Sequence, residues 1–140
     1  MCEICGQMNY WAVLVSAAVY WLCGMLWFSV MIGKNWSIEM KKHGIQISKP
    51  KPSKMAEKSI WTFVLNLIVA FGVALLVNSL AIHTLGAAIG LALVLAICFV
   101  AAVMATSYLW ENRSFKLSFY DIFYPFIGVV ISTIIIALWR

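Results

Sequence analysis

Charge is what this chain has least of. Only 11% of its 140 residues are charged, ten of them basic and five acidic, while 64% are hydrophobic and the mean hydropathy is +0.97. So little polar surface cannot clothe a soluble domain with a single core. The apolar residues also lack the alternation of β-barrel strands: "ALVLAICFVAAVMA", Ala92 to Ala105, is apolar on every face. With two histidines, His43 and His83, and four cysteines, the chain is poor in metal ligands. The three prolines stand at 50, 52 and 125.

What is there is long apolar runs. A helix that crosses a bilayer needs about 20 mostly apolar residues. Four runs qualify, at about 10–32, 60–82, 85–110 and 119–139. The first far exceeds the apolar core of a signal peptide and precedes no small-residue cleavage site, so it reads as a retained helix. The expectation is an all-α polytopic membrane protein, one domain over 1–140, with four transmembrane helices in an up-and-down antiparallel bundle.

The lysines set the orientation. Lys34, Lys41, Lys42, Lys49, Lys51, Lys54 and Lys58 lie between the first two runs, Arg113 and Lys116 lie between the last two, and Arg140 alone lies on the other side. The positive-inside rule makes loops 33–59 and 111–118 cytoplasmic and places both termini outside. Trp11 and Trp139 mark the outer boundary, and Trp36, Trp61 and Trp110 the inner one, as interfacial tryptophans do. This accounts for the net charge of +5 without nucleic acid as a partner. His83 and Thr84 leave almost no loop between the second and third helices, so these form a tight hairpin. Loop 33–59 carries "SKPKPSK", whose prolines oppose helix. It is expected to be a flexible basic segment, read first as a topology determinant lying on the membrane; the alternative is that its Lys41, Lys42, Lys49, Lys51, Lys54 and Lys58 hold anionic lipid at about 1 kcal/mol each.

Three stretches carry a family resemblance: "MNYWAVLVSAAVYWLCGMLWFSVMIGKNW" (Met8 to Trp36), "TSYLWENRSFKLSFYDIFY" (Thr106 to Tyr124) and "IIIALW" (Ile134 to Trp139). From about Met8 onward the chain resembles the bacterial membrane proteins of domain-of-unknown-function family 1761. In that family the first stretch looks like Trp-Tyr-Ser-Pro followed by Gly-Lys-x-Trp. Trp27, Ser29, Gly33, Lys34 and Trp36 match, whereas Phe28 stands for the usual Tyr and Val30 for the usual Pro. The Asp121 position often carries Asn and the Pro125 position His, with Tyr124 shared. The resemblance implies fold and topology and carries no activity, cofactor or metal.

Because the family-like part starts at Met8, "MCEICGQ" reads as an added tail or an upstream start. Its Cys2 and Cys5 form a C-x-x-C pair on the outer side, where a disulfide persists. This pair carries the alternative reading, a membrane thiol-redox enzyme. A working C-x-x-C sits at a helix N-terminus, which lowers the thiol pKa, whereas several residues separate this one from the helix near Tyr10. The histidines fall on opposite faces and cannot share an ion, so no metal or cofactor is expected.

An ionisable side chain inside a span is the usual mark of ion or proton coupling, and none lies at mid-depth. Polar chemistry gathers at the inner boundary instead. Lys34 and Trp36 end the first helix, Glu111 and Arg113 the third, and Lys116 and Asp121 open the fourth. Glu111 at a helix C-terminus needs a cation, Lys34, Arg113 or Lys116, whereas Asp121 in a first turn is favoured. Pro125 cannot donate to the Asp121 carbonyl. The Gly-Lys-Asn-Trp junction therefore has two readings. Lys34 and Trp36 are interfacial anchors, or Lys34 closes a site with Glu111, Arg113, Lys116 and Asp121 against Trp27 and Tyr124.

Small residues mark the packing faces: Gly86, Gly90 and the stripe Ala88, Ala92, Ala96 on the third helix, Ala70 and Ala74 on the second, Gly24 on the first, Gly128 and Ser132 on the fourth. Such faces close one bundle or join two protomers, and a homodimer is expected. Asn66 and Asn78 are expected to bond between helices, and Ser29 to a carbonyl one turn back. The leading functional reading is a non-enzymatic binding or transport-type bundle for a lipid or small molecule at its cytoplasmic face. A structural subunit of a membrane complex is the further alternative.

Overall fold

The computed structural model describes residues 8–46 and 51–139, in five helices. The first is α1, Tyr10–Met31. Asn9 caps it by accepting from the amides of Trp11 and Ala12 at 3.1 and 3.2 Å, which satisfies donors that a helix start otherwise leaves bare. Its last five residues, Trp27–Met31, widen into a π-helical turn. Ile32, at φ −125° and ψ −3°, then breaks the helix direction.

A separate helix, α2, Gly33–Lys42, follows at once. It ends in the sequence His43-Gly44-Ile45, where Gly44 at φ +73° lets Ile45 N–H reach the Met40 carbonyl and Gly44 N–H the Lys41 carbonyl. That is a Schellman cap, with glycine in the left-handed position it occupies without strain. Over its described residues, segment 33–59 is therefore largely helical rather than the flexible loop expected from its prolines. Pro52 opens α3, Pro52–Ser79, because the first helical residue has no N–H bond to lose and its fixed φ suits the helix. The second span thus begins eight residues before Ile60.

The remaining helices are α4, Leu85–Trp110, and α5, Phe115–Leu138. α4 widens into π-helix over Leu95–Ala101. α5 starts at Phe115 rather than 119, because Ser114 caps it by accepting from Leu117 N–H at 3.3 Å. These four long helices, α1, α3, α4 and α5, are each long and apolar enough to cross a membrane. The protein is an all-α polytopic bundle.

Helices α1, α3 and α5 pack against one another, and α4 lies along α5. The shared core is made of small side chains: Val13, Ala17, Ala70, Val73, Ala74, Val77, Ala88 and Ala137. In lipid there is no hydrophobic drive between spans, so close van der Waals contact and polar bonds hold them together. Ala88, Ala92 and Ala96 are fully buried, as the stripe predicts. A Cβ at Gly128 or Gly24 would overlap the ring of Tyr20 or Tyr124, so those two glycines are what lets each tyrosine cross between α1 and α5. Gly86 and Gly90 face open space instead.

Several polar side chains within the spans are satisfied locally, whereas the buried Ser16 and Ser132 hydroxyls have no partner among the described residues. Ser29, Thr62, Thr106 and Thr133 donate to carbonyls four residues back. Several bonds link spans: Trp21 Nε1 donates to Ser59 Oγ at 3.2 Å, Asn66 Nδ2 to Tyr124 Oη at 3.0 Å and Tyr20 Oη to the Pro125 carbonyl at 3.4 Å, each worth about 0.6–2 kcal/mol in a membrane. Large apolar side chains such as Trp61, Ile68, Phe99 and Trp110 point outward, as expected of a lipid-facing surface.

Candidate functional site

The lysine-bearing end of the bundle is organised around Asp121. This residue lies two helical turns inside α5, and its carboxylate is 14% exposed. One oxygen accepts from Trp36 Nε1 at 2.8 Å and the other from Tyr108 Oη at 2.9 Å. The Arg113 guanidinium stands 4.0 Å from the second oxygen. Asp121 thus joins α2, α4 and α5 through two neutral donors and one cation.

Local structure explains how Arg113 gets there. Asn112 adopts φ +50°, a left-handed conformation that asparagine tolerates. Arg113 N–H then bonds the Tyr108 carbonyl at 3.2 Å, and Asn112 N–H the Leu109 carbonyl at 3.3 Å. This Schellman cap folds Arg113 back over the end of α4. Its guanidinium lies 5.1 Å from the centre of the Tyr108 ring, a cation–π contact, and its Nε pairs with Glu111. Glu111, disfavoured by the helix dipole at its position, finds its cation in Arg113.

Above Asp121 lies an aromatic layer. Trp27 stacks on Phe123 at 4.4 Å and donates from Nε1 to the Tyr120 carbonyl at 2.9 Å. Phe28 meets both Trp36 and Tyr124 edge-on at 5.8 Å, and Tyr124 meets Tyr20 at 5.2 Å. The π-helical turn at Trp27–Met31 carries both Trp27 and Phe28 into this layer, in keeping with the tendency of such turns to occur at special sites. A second latch holds α2. Glu39 accepts from Ser114 Oγ at 3.1 Å and pairs with Lys42 at 3.3 Å. The Lys42 ammonium, then the Ser114 hydroxyl, hold the Glu39 carboxyl below its ordinary range.

The outer flank of Tyr108 and Arg113 is hollow. A trough of about 500 Å³ runs between α4 and α5, within the range of small-molecule sites. Ala105, Tyr108 and Leu109 wall it on α4, and Phe119, Ile122, Phe123 and Phe126 on α5. Arg113 is the charged side chain in its lining. Phe115 and Leu109 at its rim are 85% and 77% exposed, so the trough faces the lipid side.

Of the residues that sequence brought to this site, Trp36, Asp121, Glu111 and Arg113 meet in one bonded cluster, and Trp27 and Tyr124 form its aromatic roof. Lys34 does not join it. Its side chain is exposed, and among the described residues it pairs with neither Glu111 nor Asp121. On a helix, residues two apart do not share a face, so α2 cannot present both Lys34 and Trp36 to Asp121. Lys116 is exposed and influences Glu39 rather than Asp121. Tyr108, Glu39, Ser114 and the phenylalanines of the trough were not singled out from sequence. The Asn112 cap was the signal for Tyr108. Cys2, Cys5 and Lys49 lie outside the described residues, and Cys23 and Cys98 are free thiols.

Fold and cluster together define a small helical membrane protein with an interfacial polar centre. Residues 11–137 match the family described as a protein of unknown function, DUF1761, and the chain belongs to that family. No curated protein and no solved structure matches the chain.

Proposed function

We propose that the protein binds a membrane phospholipid at its cytoplasmic face, with an acyl chain in the α4–α5 trough and the phosphate at Arg113. The observation that carries this reading is the trough itself: an aromatic and aliphatic groove of about 500 Å³ at the lipid side, with a guanidinium at the end nearest the lysines. The walls suit a hydrocarbon chain, and Arg113 presents a planar fork of donors suited to phosphate. The exposed Lys41, Lys42, Lys51, Lys54 and Lys58 hold this face of the protein against an anionic membrane surface and do not enter the groove.

Native mass spectrometry of gently extracted protein tests the reading. Wild type retains a phospholipid adduct, and both Arg113→Ala and Ile122→Trp, which fills the trough, lose most of it. Equal retention by wild type and both variants overturns the proposal.

A further inference from the structure

The charges around the trough do more than supply a phosphate site. Arg113 is bracketed by two carboxylates. Its Nε is paired with Glu111 and its Nη1 stands 4.0 Å from Asp121. Arg113 is the member of this triad that lines the groove; with Glu111 and Asp121 as its partners, two negative groups and one positive sum to a formal −1. A headgroup with only a negative charge meets one favourable partner and two unfavourable ones.

The two carboxylates also differ in access. Asp121 is 14% exposed, and both its oxygens are occupied by Trp36 and Tyr108. The Glu111 side chain is 50% exposed and engages Arg113 through Oε2, which leaves Oε1 outside that ion pair. The accessible pair is thus one guanidinium beside one carboxylate, the mirror of a phosphate joined to an ammonium.

We propose that the site selects a zwitterionic phospholipid with a primary amine, of the phosphatidylethanolamine type. Its phosphate meets Arg113 and its ammonium donates to Glu111. This assignment rests on the phospholipid reading above and adds the headgroup to it. A primary ammonium has three N–H donors for Glu111 Oε1, which a quaternary ammonium lacks. Phosphatidylglycerol carries the same phosphate charge into a site already at −1, with no ammonium to offset it or to meet Glu111.

The experiment is a competition on the full chain, stripped of lipid in a neutral detergent. Equimolar phosphatidylethanolamine and phosphatidylglycerol of matched chains are added, and adducts are counted by native mass spectrometry. Wild type favours the ethanolamine lipid by roughly three- to five-fold, the scale of a partly exposed ion pair. Glu111→Gln abolishes that preference while keeping an adduct. Acetylating the lipid amine abolishes it on the unaltered protein, a result independent of how the variant folds. Equal adducts in wild type, or a preference that survives both Glu111→Gln and amine acetylation, overturns the assignment. If Arg113→Ala and Ile122→Trp lose both lipids in that case, the phospholipid reading stands without the headgroup. If these variants keep both lipids, the phospholipid reading itself falls.

Discussion

Asp121 is the residue on which three helices converge, and its partners are of unequal kind. Trp36 and Tyr108 are neutral donors at bonding distance, whereas Arg113 is a cation at 4.0 Å. A hydrogen bond to a charged group contributes about 1.5–3 kcal/mol, and a buried charge stripped of a donor costs about as much. Trp36→Phe therefore destabilises the protein by about 1–3 kcal/mol. Asp121→Asn costs a similar amount, and the double variant costs less than the sum by about 1 kcal/mol or more, because the second change removes a bond already lost. Unfolding in mixed micelles measures the cycle. Additivity within about 0.5 kcal/mol would dissolve the coupling between α2 and α5 on which the site is built.

Helix α2 shows most clearly what an element's own composition conceals. The spans were legible because length and hydropathy alone specify them, and the depth of Trp36, Glu111, Arg113 and Asp121 followed from where the runs stop. The stretch 33–59 gave no apolar run, and its prolines suggested a loop. Yet Pro52 begins a helix and Gly44 ends one, both positions where these residues favour helix boundaries. The trough was not legible at all, since it depends on how α4 and α5 diverge beyond the Asn112 cap. What fixes α2 in place is Trp36 on Asp121 and Glu39 on Ser114. Glu39 titrates below its unfolded value, of about 4.3. Its stabilising contribution is thus complete above that pH and is lost as pH falls through the lower folded value. The thermal stability of wild type should exceed that of Glu39→Gln at pH 7, and the two should converge as the pH is lowered toward 3. A gap that stays constant with pH would mean that the Glu39 latch does not hold α2.

At the scale of the whole molecule, the first and last described stretches of the chain meet. Asn9 Nδ2 donates to the Trp139 carbonyl at 3.5 Å, so the start of α1 and the end of α5 share one face, as an even number of crossings requires. Geometry makes the faces distinct, and the proposal that the α2 face is the cytoplasmic one rests on charge. All eight Lys and Arg among the described residues stand on the α2 side of the bundle, and translocation is costly for short loops rich in Lys and Arg. A reporter active only outside the cytoplasm, fused after Trp139, should therefore give signal, and the same reporter inserted at Gly44 should not. The charge argument makes a stronger demand. Replacing Lys41, Lys42, Lys51, Lys54 and Lys58 by Gln, with three lysines added to the turn at Ala81 to His83, weakens the bias and should populate the opposite orientation, lowering the first signal and raising the second. If the reporter at Trp139 is silent in the wild type, the lysine face is outside. The trough and Arg113 would then face the outer leaflet, and the ligand would have to be sought there.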